Sequence, residues 1–390
     1  MLIKYFYIIL IFSELLIAQN TVQITFIVEA ENVPESSMVY IAGNDVSLGR
    51  WAPDGQQMEF IDNKWQKKLQ FSKGISLEFK FTRRSWQTEA LNDDGSVQAN
   101  YRLKIINDTI VVYKINLWAD QFVSSEVKII SGQITGTIKY HKNFKGRKIK
   151  PRDILVWLPP GYEENETARY PVLYMHDGQN AFDPVTSSFG VDWQIDEAAD
   201  TLIRKGLIEP LIIVAIYNSV ERSSEYANND TGYAYLQFII EELKPFIDAN
   251  YRTFPDEDNT AVIGSSLGGL ISLILVWEYP EVFSKAACVS PAFKIDRYDY
   301  VTEIKNYSGE KKPVKIYIDN GGVGIEEVLQ PGIDEIISSL ENFEYNRGED
   351  YYWFKAEDSE HGEKDWAKRV WRALVFLFGN ANSYKLLDIY

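Results

Sequence analysis

The spacing of apolar and polar residues changes character once along the chain. Over residues 21–118 short apolar runs alternate with polar positions at period two, which predicts strands over 22–28, 38–42, 65–71, 77–81 and 109–116. Gly43-Asn44, Pro53-Asp54-Gly55 and Asn92-Asp93-Asp94-Gly95 supply turn chemistry between these runs. No helical period interrupts the alternation, so this part reads as an all-β, immunoglobulin-like sandwich domain. A polar passage over 119–133, with Ser124-Ser125-Glu126 inside it, marks a linker. From 134 to 380 strand and helix patterns alternate. Strands are predicted over 136–140, 153–158, 172–175, 211–216, 260–263, 286–289, 314–318 and 351–356, and helices over 192–205, 233–250, 267–279, 332–342 and 363–378. Strands that are apolar on both faces imply a buried, mostly parallel central sheet with helices on both sides, an α/β fold.

A length of 390 residues suits two domains, and 45% hydrophobic with 25% charged residues is the balance of a globular chain. The formal net charge of −16 excludes nucleic acid and anionic membranes as partners, because polyanions repel one another, and leaves neutral sugars open. Aromatic residues reach 14%, a surplus that suits surfaces on which rings stack on sugars. Lys4, a mostly apolar stretch over 5–17 broken by Ser13 and Glu14, and the small Ala18 read as a signal peptide over 1–18. Export to the periplasm or the exterior is expected. No later window reaches the ~18 apolar residues of a membrane-crossing helix, so no stable membrane insertion is expected. Cys288 is the single cysteine, which leaves no intrachain disulfide.

The candidate chemistry sits where the run Ala261-Val262-Ile263 enters Gly264-Ser265-Ser266-Leu267-Gly268-Gly269 and an apolar helix pattern follows. Gly-x-Ser-x-Gly between a strand and a helix predicts a nucleophile elbow. Flanking glycines leave room for a strained turn that presents the Ser266 hydroxyl at a helix N-terminus, where the dipole favours developing negative charge. A serine hydroxyl needs a base to take its proton and an acid to orient that base. Of the three histidines, His361 lies in the polar loop Asp358-Ser359-Glu360-His361-Gly362 before the last helix, the place of the base in the order Ser, acid, His. His141 reads as a surface residue. His176 ends the strand over 172–175 and opens His176-Asp177-Gly178-Gln179, the position of an oxyanion loop. The acid belongs after the strand over 314–318, where the chain continues Asp319-Asn320-Gly321-Gly322-Val323-Gly324-Ile325-Glu326-Glu327. Glu326 is preferred because it is far enough along to reach His361. Asp319 is held in reserve, since turn aspartates also fold glycine loops through backbone hydrogen bonds. The backbone N–H groups of Leu267 and Gln179 are the predicted oxyanion donors, and loss of one such donor costs about 3–4 kcal/mol. Three scattered histidines and one cysteine build no typical zinc site, and no Walker-type glycine loop appears, so neither metal nor cofactor is expected.

With those residues in place, 134–378 resembles the esterase D-like group of α/β-hydrolases, which includes feruloyl, acetyl-xylan and enterochelin esterases and the mycolyltransferases. The resemblance rests on Val156-Trp157-Leu158-Pro159-Pro160-Gly161-Tyr162, Tyr170-Pro171-Val172-Leu173-Tyr174-Met175-His176-Asp177-Gly178-Gln179-Asn180, the glycine–serine motif at 264–269, Tyr279-Pro280-Glu281-Val282-Phe283, Ser290-Pro291 and His361-Gly362. It implies a triad of Ser266, His361 and an acid that is Asp or Glu within the group. The front part resembles starch-binding modules of carbohydrate-binding family twenty through Val39-Tyr40-Ile41-Ala42-Gly43-Asn44, Leu48-Gly49-Arg50-Trp51, Glu78-Phe79-Lys80-Phe81-Thr82 and 86–89. That resemblance implies that Trp51 and Trp86 stack on glucose units beside Lys80. The sequence departs from the module's Asn-Arg pair, reading Asn100-Tyr101-Arg102, and packing of both tryptophans into the sandwich is the competing reading. Trp65, in mid-strand, reads as core.

Together these readings imply an exported serine carboxylesterase acting on acyl or feruloyl esters of carbohydrates. Siderophore ester hydrolysis is the second reading, and an inactive glycan-binding protein the third. The expected partner is a carbohydrate or an acylated small molecule. The segment over 220–232, with Arg222, Glu225 and Tyr226, is expected to overhang the site.

Overall fold

The computed structural model describes residues 21–119 and 134–387, apart from residues 36, 93–97 and 99. The expected signal peptide and, save Ala119, the expected linker lie outside the described residues. The chain divides into two compact units at Val127 and Lys128.

The first unit holds β1 (Thr21–Ala30), β2 (Tyr40–Gly43), β3 (Gln56–Gln57), β4 (Glu59–Ile61), β5 (Lys64–Ser72), β6 (Ser76–Thr82), β7 (Ala90–Leu91), β8 (Tyr101–Lys104), β9 (Thr109–Ile115) and β10 (Leu117–Trp118). They form two four-stranded sheets, ordered β4-β5-β1-β9 and β3-β2-β6-β8, with β7 and β10 paired separately. Alternation on β1 sends Val22, Ile24, Phe26 and Val28 inward to meet Ile41, Phe71, Phe79 and Phe81. Phe26 meets Phe79 edge-on at 5.2 Å. Trp65 joins this core as expected. Strand β8 escapes prediction because it is four residues long and half-buries only Tyr101 and Leu103.

The second unit holds β11 (Thr137–Phe144), β12 (Arg152–Leu158), β13 (Val172–His176), β14 (Ile212–Ile216), β15 (Thr260–Ser265), β16 (Lys285–Val289), the short β17 (Lys294–Ile295) and β18 (Tyr298–Asp299), β19 (Lys315–Gly321) and β20 (Tyr351–Ala356). Its eight-stranded sheet runs β11-β12-β14-β13-β15-β16-β19-β20. The pairings of β12 with β11 and β14 are antiparallel. Every pairing from β14 through β13, β15, β16 and β19 to β20 is parallel. Period two divides the apolar strands between two cores: Ile212, Val214 and Ile216 face one, and Ile213 and Ala215 the other. Helix Leu267–Glu278 covers the first core through Leu270, Ile271 and Leu273, and helix Val370–Phe378 covers the second. The register sets Ser265, Val289, Asp319 and Phe354 side by side at the carboxyl ends of four parallel strands. The candidate residues leave the sheet there, at the edge where ligands of open α/β sheets bind.

Four of the expected helices differ from the sequence reading, and that over 192–205 runs only from Ile195 to Arg204. The helix expected over 233–250 starts at Asp230 and carries one π-helical turn, Ile239–Leu243, before it ends at Asn250. The helix expected from 332 begins at Ile325, with Pro331 inside it. Pro331 forgoes only one intrahelical donor, and Gly332 earns its place by packing: a Cβ there would lie 3.0 Å from Lys294 Cβ. The last helical stretch breaks at Lys368 and Arg369 into Glu363–Ala367 and Val370–Phe378. Among the described residues no helix is long and apolar enough to cross a membrane.

Candidate active site

Ser266 occupies the turn between β15 and helix Leu267–Glu278 with φ 57° and ψ −120°. Such a conformation costs a non-glycine residue about 1–3 kcal/mol and persists only where surroundings impose it. Here they do. Ser266 N–H donates to the Val289 carbonyl at 3.0 Å, and its own carbonyl accepts from Leu270 at 3.1 Å and Ala292 at 3.0 Å. A Cβ on Gly264 would stand 2.6 Å from the Gly268 carbonyl carbon, and one on Gly269 would stand 2.9 Å from Pro291 Cβ. The glycine spacing of the motif is therefore a packing requirement of the turn.

His361 follows β20 in a loop pressed against the loop after β19. The Ser359 carbonyl accepts from Gly322 and Val323 N–H, both at 3.2 Å, and a Cβ on Gly321 would lie 2.2 Å from that same carbonyl. This contact brings His361 Nδ1 to 3.1 Å from Glu326 Oε1, with Glu326 fully buried. Glu326 stands in the first turn of helix Ile325–Asn342, whose unexpectedly early start places it there. Burial pushes its carboxyl up, but His361, the Ser290 hydroxyl and Arg369 together outweigh burial and hold it below the usual glutamate range. Asp319 is turned elsewhere: Arg369 Nε donates to its Oδ1 at 2.9 Å and Tyr317 OH to its Oδ2 at 2.9 Å. The structure thus brings together His361 and the preferred acid, and leaves the reserve acid in a buried ion pair.

Three residues given no role by the sequence reading complete this arrangement. Ser290 Oγ lies 2.5 Å from Glu326 Oε1 and accepts from Trp366 Nε1 at 3.0 Å and Arg369 Nη2 at 2.7 Å. The signal for Ser290 was the pair Ser290-Pro291, which stood among the motifs but said nothing of a partner.

The predicted oxyanion donors lie on two turns that the glycines bring close. Leu267 opens its helix, so its N–H has no acceptor within the helix. Gln179 lies in the turn Gly178–Asn180 after β13, and a Cβ on Gly268 would contact His176 Cβ and Asp177 Oδ2, each at 3.5 Å. Gly178 rests directly on β14, where a Cβ would collide with the Ala215 carbonyl carbon at 2.4 Å. Asp177, at φ 55°, receives two hydrogen bonds from Arg222, both at 2.7 Å, and one from Asn218 Nδ2 at 2.7 Å. Asn180 Nδ2 donates to the buried Glu363 at 3.0 Å, tying this turn to the segment that follows His361. Arg222, Glu225 and Tyr226, expected to overhang, instead brace the site. Glu225 pairs with Arg152 at 3.1 and 2.5 Å, and Tyr226 OH accepts from Asp177 N–H at 3.2 Å. His176 is buried with Nδ1 2.8 Å from Tyr235 OH, and burial pushes it down to about 3, so it stays neutral at pH 7. His141 is half-buried rather than on the surface, with Nε2 2.6 Å from Tyr251 OH and its ring edge-on to Phe246.

The model of the putative esterase family matches residues 148–377, more than half of the chain. The chain belongs to that esterase family. It is a carboxylic ester hydrolase by class, and the starch binding domain model matches residues 21–104 ahead of the esterase unit. The chain is 33% identical over 134 residues to an endo-1,4-beta-xylanase/feruloyl esterase of Xylanibacter ruminicola, an alignment covering 33% of this chain and 18% of that protein. Among solved structures a ferulic acid esterase superposes with a TM-score of 0.52 at 20% identity, covering 62% of this chain and 98% of its own. The enterobactin esterase of Shigella flexneri superposes with a TM-score of 0.53 at 15% identity, covering 92% of this chain and 93% of its own. At these identities the likeness is one of fold.

In the esterase's front unit the expected sugar contacts differ in exposure. Lys80 is only 2% exposed and its Nζ donates to Glu89 Oε2 at 2.7 Å, so its charge is spent inside the unit rather than offered at a surface. Burial pushes the Glu89 carboxyl up to about 7 against the pull of Lys80. Trp86 is 8% exposed. Trp51 is half-buried and sits at φ 64°, rare for a bulky residue, with its ring centroid 6.4 Å from that of Trp86. Elsewhere in the esterase unit Asp192, Asp196 and Glu197 bring donor oxygens within 4.8 Å of one another, the one group among the described residues that could hold a metal ion. Burial, and then Glu197, push Asp196 up to about 9.

Proposed function

We propose that the chain is an exported serine carboxylesterase that removes acyl or feruloyl groups from carbohydrates through Ser266, His361 and Glu326. The observation that carries this reading is the 3.1 Å contact of His361 Nδ1 with the buried Glu326, in a chain whose elbow holds Ser266 at a strained turn. With Nδ1 committed to Glu326, Nε2 is the nitrogen that takes the Ser266 proton as Oγ attacks the ester carbonyl carbon. The N–H groups of Leu267 and Gln179 receive the developing oxyanion. Collapse breaks the ester C–O bond, and the proton held on His361 passes to the departing alkoxide, which leaves as the sugar alcohol. Water then repeats the sequence on the acyl-Ser266 intermediate, releasing the acid and restoring the hydroxyl. Glu326 stays ionised throughout and stabilises the imidazolium.

The front unit's paired sheets support an immunoglobulin-like sandwich that holds a polysaccharide through Trp51 and Trp86. Siderophore ester hydrolysis is the second reading, favoured by the enterobactin esterase fold that spans 92% of this chain. Cleavage of feruloylated and acetylated oligosaccharides, compared with enterobactin on the same purified protein, decides between them. Preference for the sugar esters, lost in Ser266→Ala, is the expected result. Preference for enterobactin selects the siderophore reading. Failure of a fluorophosphonate to label Ser266 would reject the serine mechanism altogether.

A further inference from the structure

Ser290 is fully buried, stands at φ 43° immediately after β16, and donates its own N–H to the Asp319 carbonyl at 2.7 Å. Its hydroxyl has one proton to give and two lone pairs to receive with. Trp366 Nε1 and Arg369 Nη2 are obligate donors, at 3.0 and 2.7 Å, and fill both lone pairs. The remaining proton therefore has one destination, Glu326 Oε1 at 2.5 Å. That is the oxygen that faces His361 Nδ1. We propose that Ser290 is a positioning residue for the ester hydrolysis, fixing the Glu326 carboxylate on His361 and drawing charge from the oxygen they share; the proposal rests on the triad reading above.

The backbone argues the same way. A serine at positive φ is strained where glycine or asparagine would sit more easily, and such outliers cluster at functional sites. Arg369 is itself held by Asp319, so its donor to Ser290 is rigid and carries a positive charge into the hydroxyl. The charged and titratable groups packed about this point are Glu326, His361, Arg369 and Asp319, with Tyr317 behind Asp319. A polarised hydroxyl on Oε1 weakens that oxygen's grip on the imidazolium. Without it Glu326 holds the proton on His361 more tightly, and the carboxylate is free to turn.

The test is steady-state hydrolysis of p-nitrophenyl acetate by the full chain as a function of pH, with Ser290→Ala, Ser290→Thr and Glu326→Gln beside wild type. Ser290→Ala is expected to lose about ten- to hundredfold in kcat with KM within twofold, and to move the acid limb of kcat/KM up by at least half a pH unit. Ser290→Thr keeps the hydroxyl and is expected to restore the wild-type limb. Ser290→Gly suits the positive φ, so it separates loss of the hydroxyl from backbone strain and is expected to behave as Ser290→Ala. An unmoved acid limb in both Ala and Gly variants, with losses that track thermal stability alone, would overturn the proposal. Full activity in Glu326→Gln would remove the triad reading and the proposal with it, whereas an inactive Glu326→Gln beside a wild-type Ser290→Ala profile would remove the proposal only.

Discussion

Arg369 Nε lies 2.9 Å from Asp319 Oδ1 with both side chains buried, and this ion pair withdraws Asp319 from His361. One carboxylate stands within β19 and another seven positions later in the helix that follows, and the guanidinium sorts them: Asp319 neutralises Arg369, and Glu326 faces the imidazole. Glu326→Gln is expected to lower kcat by about 10²- to 10⁴-fold on p-nitrophenyl acetate, because the wrong donor then faces Nδ1. Asp319→Asn is expected to act on stability instead, by about 3–5 kcal/mol, since it leaves Arg369 buried without its counter-charge. At a temperature where that variant is folded, kcat within about tenfold of wild type is the expected result. Stopped-flow kinetics and chemical denaturation on the two variants check this, and the opposite pattern would return the orienting role to Asp319.

Ser266 pays for its position in backbone strain. Its φ of 57° and ψ of −120° lie where glycine is at ease and serine is not. Ser266→Gly is therefore expected to abolish esterase activity and to raise stability by about 1 kcal/mol, or about 2–4 °C in Tm for a unit of this size. Ser266→Ala keeps the Cβ and with it the strain, so its Tm is expected to stay near that of wild type. Scanning calorimetry on the three proteins measures the difference, and equal Tm for the Gly and Ala variants would show that the turn is not strained.

The elbow, the alternation of strands and helices and the loop that carries His361 were legible because their signals are local. Gly264, Ser266 and Gly268 lie within five positions, and the central parallel strands β13, β14 and β15 announce themselves by apolar runs buried on both faces. Glu326 was legible only as a preference, because the start of its helix was hidden: Pro331-Gly332 looks like a break, yet the helix runs through it from Ile325. Arg369 and Trp366 had no signal, and Ser290 only the pair Ser290-Pro291, since their partnership depends on side chains 76 and 79 positions apart meeting behind the sheet edge. The front unit shows the reverse failure. A lysine between Phe79 and Phe81 matched a motif; alternation holds and sends it to the face opposite the two rings, but that face is covered as well, and Lys80 is buried against Glu89.

The carboxylates at 192–197 make stability depend on pH in a defined direction. Asp196 is pushed up to about 9 in the fold, against about 3.9 in the unfolded chain. Between those values the folded state holds more protons than the unfolded state, so stability is complete below the unfolded value and falls as pH rises toward the folded one. Asp196→Asn removes the titration while keeping an acceptor for the Thr135 N–H, which lies 2.7 Å from Asp196 Oδ2. The variant is expected to match wild type near pH 4 and to gain on it by up to about 1.4 kcal/mol per pH unit toward pH 9. Urea denaturation at pH 5, 7 and 9 gives the slope, and parallel stability curves for the two proteins would show that Asp196 does not titrate in this window.

The Lys80–Glu89 pair separates sugar binding from folding in the front unit. A buried pair broken at one end leaves an uncompensated charge, so Lys80→Met is expected to cost about 3–5 kcal/mol. The double variant Lys80→Met with Glu89→Gln removes both charges and is expected to recover most of that loss. Trp51 is held at its positive φ by a turn in which its N–H donates to the Gly43 carbonyl at 2.7 Å, and its ring is half-buried beside Trp86, so Trp51→Ala is expected to weaken binding of β-cyclodextrin by at least tenfold while leaving the fold intact. Calorimetric titration with β-cyclodextrin reads all three variants against wild type. If the double variant folds but has lost the sugar, Lys80 must reach the ligand and its burial here is not its binding geometry; if it folds and binds, the lysine serves the sandwich and the ring of Trp51 serves the sugar.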